Sequence, residues 1–229
     1  MGFSRFDIAN LLLRLPALLW ALSFHEFCHG YVAYLLGDNT AARQGRLTLN
    51  PLHHLDPFGT ITLLVLGFGW AKPVQINSRY FKNPKRDIAL VSLAGAAGNF
   101  LSALAVAIVC GLAARFSSNA RNYIIDIINY IFFGRSMSSI GAVIANLMTL
   151  NVGLGIFNLI PIPPLDGSRV LSVFLPVSAL RGYYFLERWG MIIILMLSYG
   201  GIIGRIMYPL FNTLLVFLTR IILFTGGII

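Results

Sequence analysis

Two charge-free runs, residues 88–114 and 140–165, constrain this chain more than anything else in it. Each exceeds the ~20 residues that an α-helix needs to cross a bilayer. Segments of that kind are not tolerated on the surface of a water-soluble domain, and the rest of the sequence agrees: 57% of the 229 residues are hydrophobic and only 11% are charged. The expected class is an all-α polytopic membrane protein with no separate soluble domain, no internal repeat and no low-complexity tract. A single membrane-embedded domain is expected over residues 1–229, with a core at about 8–167 and C-terminal helices at about 187–229.

The net charge of +9 is scattered between the apolar segments and is not gathered into a stripe with interleaved aromatics, which argues for topology and against nucleic acid. The two cysteines, Cys28 and Cys110, lie inside apolar segments and give no disulfide framework. The first 23 residues have the hydrophobicity of a signal peptide, but the apolar stretch continues past them without a suitably placed small-residue cleavage site, so a retained helix from about Ile8 to Leu36 is expected. Gly37, Asp38 and Asn39 are turn formers that would end it.

Residues 58–71 are too few to span comfortably and are rich in Gly, Thr and β-branched residues. Flanked by the alternating RQGRLTLNP and AKPVQIN, they are expected to form a short re-entrant segment containing β-structure, sheltered by protein as irregular backbone in a membrane must be. Spans over 88–114 and 140–161 follow, and between them NYIIDIINYIFF reads equally as an interfacial helix or a loop. Beyond Trp189, the glycines 200, 201 and 204 beside Arg205 point to two short helices, with one long helix and a tail as the alternative.

Polar residues stand out against such a background because each is costly in lipid. His25, Glu26 and His29 form H-E-x-x-H late in the first helix. Four positions separate the histidines, so they differ by about 40° around the axis and can share one ion, while Glu26 stands beside the pair. Two neutral imidazoles suit Zn²⁺, and a neighbouring carboxylate can act as general base toward a water that the metal has made acidic. With four His and two Glu in the chain, a chance occurrence is expected roughly 0.0006 times. Pore or packing residues of a transporter are the other reading of the same trio.

A catalytic zinc site takes three protein ligands and leaves a position open. Among the remaining acids, Asp7, Asp38, Asp56, Asp87, Asp126 and Glu187 adjoin loops or basic residues, where a solvated charge is the default. Asp166 follows Pro161, Pro163 and Pro164, which must break the preceding helix, and irregular backbone at that depth marks a site more economically than an Asp-Gly turn. Counting crossings, Asp166 reaches the membrane face of His25 and His29 only if residues 58–71 do not span. That face carries ten Lys and Arg against five on the other, which places it toward the cytoplasm of a multi-pass protein in the cell membrane.

The segments HEFCHG (25–30), GRLTLNPLHHLDPFGT (45–60), FGWAKPV (68–74), LAGAAGN (93–99) and FNLIPIPPLDG (157–167) together resemble the site-2 protease family of intramembrane zinc metalloproteases, in its compact branch without PDZ or CBS domains. The resemblance implies a core of three transmembrane helices around one Zn²⁺, held by His25, His29 and Asp166 with Glu26 as general base. It also implies hydrolysis of peptide bonds in transmembrane or membrane-associated protein substrates, in contact with membrane lipids. Asn99 and Asn158, amides in otherwise apolar helices, are candidates for substrate binding or transition-state support, or for helix packing. The family usually has proline where this chain has Ala96. His53 and His54 lack metal-like spacing and fit hydrogen-bonding or interfacial roles. Cys28 faces the side of His25, and a packed thiol is its default state. The competing function is a membrane metal transporter or metal-binding protein that uses the same ligands; it would repeat acidic or His-rich positions along several spans.

Overall fold

A computed structural model describes residues 8–66, 71–134 and 138–228. Asp7, Arg5 and Arg135, together with residues 67–70 of the expected re-entrant segment, lie outside them. Among the described residues the regular structure is helical, and the β-structure amounts to one isolated antiparallel bridge between Leu55 and Ala71.

Helix α1 runs over Ile8–Leu35. It stops where Gly37 takes a φ of 105°, a value that side chains resist. Asp38 then accepts hydrogen bonds from the backbone N–H of Thr40 (2.9 Å) and of Asn77 (2.6 Å), which ties the end of α1 to the extended passage before α4. After the single turn α2 (Thr40–Arg43) comes α3 (Pro57–Leu66). The β-containing segment expected here is therefore mostly a ten-residue helix, its Gly and Thr residues accommodated because Asp56 caps it through the N–H of Gly59.

Helix α4 covers Pro84–Phe116, with Pro at its first position, where the missing N–H costs nothing. The uncertain stretch NYIIDIINYIFF is helical, inside α5 (Ser118–Phe133), which Ser117 caps at its start and Gly134 ends at φ 63°. Helix α6 (Ser139–Asn158) stops three residues before Pro161, and Asp166 opens α7 (Asp166–Phe174). The C-terminal region forms two helices, α8 (Leu180–Tyr199) and α9 (Ile202–Thr225), broken at Gly201. Among the described residues α4, α6 and α9 are long and apolar enough to cross a membrane. At 28 residues α1 is about 42 Å long, and it carries Arg14 and the H-E-x-x-H residues.

Two compact units divide the chain. In the unit of residues 1–21, 100–153 and 210–229, Trp20 donates its indole N–H to Ser102 at 2.8 Å, and α4 meets α9 at Gly111, where a Cβ would stand 1.8 Å from Thr225 Oγ1. Small residues that let backbones approach are the usual means of packing helices in lipid. The unit of residues 22–99 and 154–209 contains the H-E-x-x-H residues, Asn99 and Asp166. One of its apolar clusters joins Ala33, Phe81 and Val91; another joins Leu165, Ile194 and Ile203. Helix α8 crosses the proline segment through Gly190, whose Cβ would lie 1.8 Å from the Pro163 carbonyl oxygen.

Two acids expected to be solvated are not. Asp38 and Asp87 are each 1% exposed, because both accept backbone N–H groups at helix ends, Asp87 from Asn83 at 3.0 Å. Asp38→Ala leaves two amides of this unit without a partner, and it is expected to lower stability by about 1–3 kcal/mol. Thermal unfolding in detergent reads this as a lower Tm, without change in metal stoichiometry.

Candidate metal centre

Helix α1 carries His25 and His29 on one face, both buried. Asp166 reaches them from the first position of α7. His25 Nε2 and His29 Nε2 are 3.0 Å apart, and Asp166 Oδ2 is 3.0 Å from the first and 3.1 Å from the second. Three donor atoms therefore form a nearly equilateral triangle. Ligands at 2.0–2.2 Å from a tetrahedral zinc would be about 3.3 Å apart, so a few tenths of an ångström separate this arrangement from an occupied one.

The far side of each imidazole identifies which nitrogen carries the proton. His25 Nδ1–H donates to Asn99 Oδ1 at 2.7 Å, and His29 Nδ1–H donates to the Val91 carbonyl at 2.7 Å. Both Nε2 atoms are then left with lone pairs aimed at a carboxylate oxygen. Three such groups at 3 Å repel one another in a dry site unless a cation stands between them. The donor set of two imidazoles and a carboxylate suits zinc, and it meets the fit expected of a catalytic site.

Glu26 does not join the triangle. Its Oε2 accepts the Val74 backbone N–H at 2.8 Å, which fixes the carboxylate beside the three candidate ligands. A cavity of about 120 Å³ opens there, lined by His25, Glu26, His29 and Asp166. Asn158 also lines it, and its amide donates to the Leu154 carbonyl of its own helix at 3.0 Å. Asn99 stands on the other side of His25 and is fully buried. His53 is exposed, and His54 hydrogen-bonds the Thr48 carbonyl at 2.8 Å; neither enters the cluster. Cys28 is a free thiol packed against Gly98.

The glycines of LAGAAGN make room for side chains of α1, a role that the sequence does not announce. A Cβ on Gly95 would lie 2.4 Å from His29 Nε2 and 2.5 Å from His25 Cε1, and one on Gly98 would lie 2.4 Å from Cys28 Sγ. Helix α4 is smooth where α1 presents its imidazoles. Gly167 is required for a similar reason, since a Cβ there would meet the Leu159 carbonyl oxygen at 2.2 Å. The spacing from Gly95 to Asn99, one helical turn, is the signal that could have linked both to one site.

Comparison with known proteins adds an independent finding. The profile of Peptidase family M50 matches residues 14–197. The chain is 37% identical over 203 residues to "Putative zinc metalloprotease YwhC" of Bacillus subtilis (strain 168), covering 85% of this chain and 84% of that protein. It is 29% identical over 209 residues to "Putative zinc metalloprotease Rip2" of Mycolicibacterium smegmatis, covering 89% of this chain and 73% of that one. No solved structure matches it.

Gly95→Ala is expected to lower divalent-ion affinity by at least about tenfold, because the added methyl displaces both imidazoles, and Asn99→Ala by about 10–100-fold, because it frees the His25 ring. Competition against a chromophoric chelator measures both. Gly204→Ala, with nothing within 4 Å of its Cβ, serves as the unaffected control.

Proposed function

Because the chain belongs to peptidase family M50, we propose that it is a zinc-dependent intramembrane endopeptidase acting on transmembrane or membrane-associated proteins. The observation that carries this reading is the convergence of His25 Nε2, His29 Nε2 and Asp166 Oδ2 within 3.1 Å of one another, with Glu26 in the same cavity. His25, His29 and Asp166 are the ligands of one ion. Zinc, when bound there, supplies a Lewis acid and a water of near-neutral pKa.

The residues of the chain do the remaining work. Glu26, held by the Val74 amide, takes the proton of the attacking water and returns it to the leaving nitrogen of the peptide. Asn158 offers its side chain to the peptide from the cavity wall, and Asn99 acts behind His25, as a support of the ligand and not as a substrate contact. The peptide must arrive partly unwound, since a helical substrate has its amides bonded and shielded.

The whole chain serves as one membrane-embedded protease domain, crossing the lipid several times. The segment holding α3 is re-entrant: only then does the crossing count bring Asp166 to the face of His25 and His29, which the Lys and Arg bias assigns to the cytoplasmic side. A metal transporter would repeat ligand clusters along a path, and one cluster of His, Cys, Asp and Glu is found among the described residues.

Glu26→Gln is expected to retain stoichiometric zinc while cleavage of a membrane-protein substrate falls by about 10²–10⁴-fold. Proteins trapped by this variant in membranes, identified and then supplied to the wild-type chain, provide the substrate. Undiminished cleavage by Glu26→Gln would overturn the assignment, and so would undiminished cleavage after full removal of the metal by a chelator.

A further inference from the structure

Ser92 is the one hydroxyl that lines the metal cavity, and the roles assigned above do not use it. It is 3% exposed, yet it has no hydrogen-bond partner among the described residues. Other hydroxyls of this chain settle their hydrogen bonds locally: Ser168 donates to the Leu165 carbonyl at 2.7 Å, and Thr149 to that of Ala145 at 2.9 Å. Ser92 Oγ is not among the buried side-chain atoms left without a partner, which among the described residues come down to His54 Nδ1, so it reaches the cavity and can take a partner there.

Its place on α4 says what that partner is. Ser92, Gly95 and Asn99 fall at positions i, i+3 and i+7, within about 60° of one another around the axis, so they form one stripe toward the two imidazoles. Asn99 closes the stripe behind His25, and Gly95 lies flat against both rings. Ser92 stands one turn nearer the start of α4, beside Val91, whose carbonyl holds His29. There the stripe opens into the cavity shared with Glu26 and Asp166. Among the other lining groups the ligands and Glu26 present lone pairs, Pro73 and Pro164 have no N–H, Asn158 spends an amide proton on its own helix, and Arg169 brings a charged donor, so Ser92 supplies the hydroxyl donor of this lining.

We propose that Ser92 is a substrate-contacting residue whose Oγ–H donates a hydrogen bond to a backbone carbonyl oxygen of the peptide bound in the cavity. An unwound substrate segment brings carbonyls whose helical partners are gone, and a donor on a rigid transmembrane helix replaces one of them without reorganisation. The assignment rests on the metallopeptidase reading of the cavity.

The test uses the full chain, zinc-loaded in detergent, with a dileucyl hydroxamate as probe and isothermal titration as the readout. Ser92→Ala is expected to weaken hydroxamate binding by about tenfold with zinc stoichiometry and Tm unchanged. Ser92→Thr, which keeps the hydroxyl, should recover affinity. Unchanged affinity in Ser92→Ala overturns the assignment, as does a loss that tracks lost zinc, which would make Ser92 a support of His29. If the zinc-loaded wild type binds no hydroxamate at all, the metallopeptidase reading fails and takes Ser92 with it; binding that Ser92→Ala leaves intact removes Ser92 alone.

Discussion

Three lone pairs aimed at one point inside an apolar protein are the interaction on which the rest depends. His25 Nε2, His29 Nε2 and Asp166 Oδ2 cannot be brought to 3 Å of one another by their mutual attraction, for between neutral imidazole nitrogens and a carboxylate there is little of it. They are held there by what lies behind them. Asn99 and the Val91 carbonyl fix the imidazole protons on the outer nitrogens, Gly95 removes the side chain that would push the rings apart, and the proline segment delivers Asp166. Each of these contributions is covalent geometry or a hydrogen bond made before any ion arrives. The centre is preorganised in the sense that matters for a metal: the ion has only to replace repulsion with coordination.

Helix α4 therefore does more than supply a long apolar segment. Its stripe of Ser92, Gly95 and Asn99 is the polar and open part of a helix that is otherwise long and apolar, and Gly98 beside it receives Cys28. A membrane helix has little scope for a specific interface made of large apolar residues, because lipid offers them equivalent contacts. Close backbone approach and a few buried hydrogen bonds are the remaining means, and the residues that provide close approach here are also those that make room for the imidazoles. Packing and site construction are the same act in this part of the molecule.

How much of this the sequence revealed follows from the range over which each signal acts. H-E-x-x-H is a local pattern on one helix, so His25, His29 and Glu26 could be read directly. Asp166 was accessible because prolines announce broken helix, although its position as the first residue of α7, and not at the end of α6, depends on packing that no short window records. The β-structure expected around residues 58–71 went the other way: Thr and Val favour strands, but a capping Asp56 and a short apolar run are equally a helix, and context decided. Asp38 and Asp87 read as surface charges because composition cannot show that two backbone amides point at Asp38 and one, with the Arg86 side chain, at Asp87. The roles of Gly95 and Gly98 were hidden for a similar reason: a missing side chain is legible only when the neighbour that needs the space is known.

Placing Asp166 at the start of a helix has a consequence for the charge of the site. A carboxylate at the first position of α7 lies where the exposed N–H groups and the helix dipole favour negative charge, and the following Gly167 lets α7 sit against the Leu159 carbonyl, so that the ligand is aimed by a short rigid element. One carboxylate and two neutral imidazoles leave a net positive charge when a divalent ion is bound. Glu26 then brings the total near neutrality, and that balance is what a low-dielectric interior can sustain. A second carboxylate ligand would quench the acidity that the ion confers on water, whereas a third histidine would leave excess charge in an apolar surrounding. For the proposed hydrolytic centre, this set of candidate ligands, with Glu26 held in a neighbouring place by the Val74 amide, suits a surrounding where water and counterions are scarce.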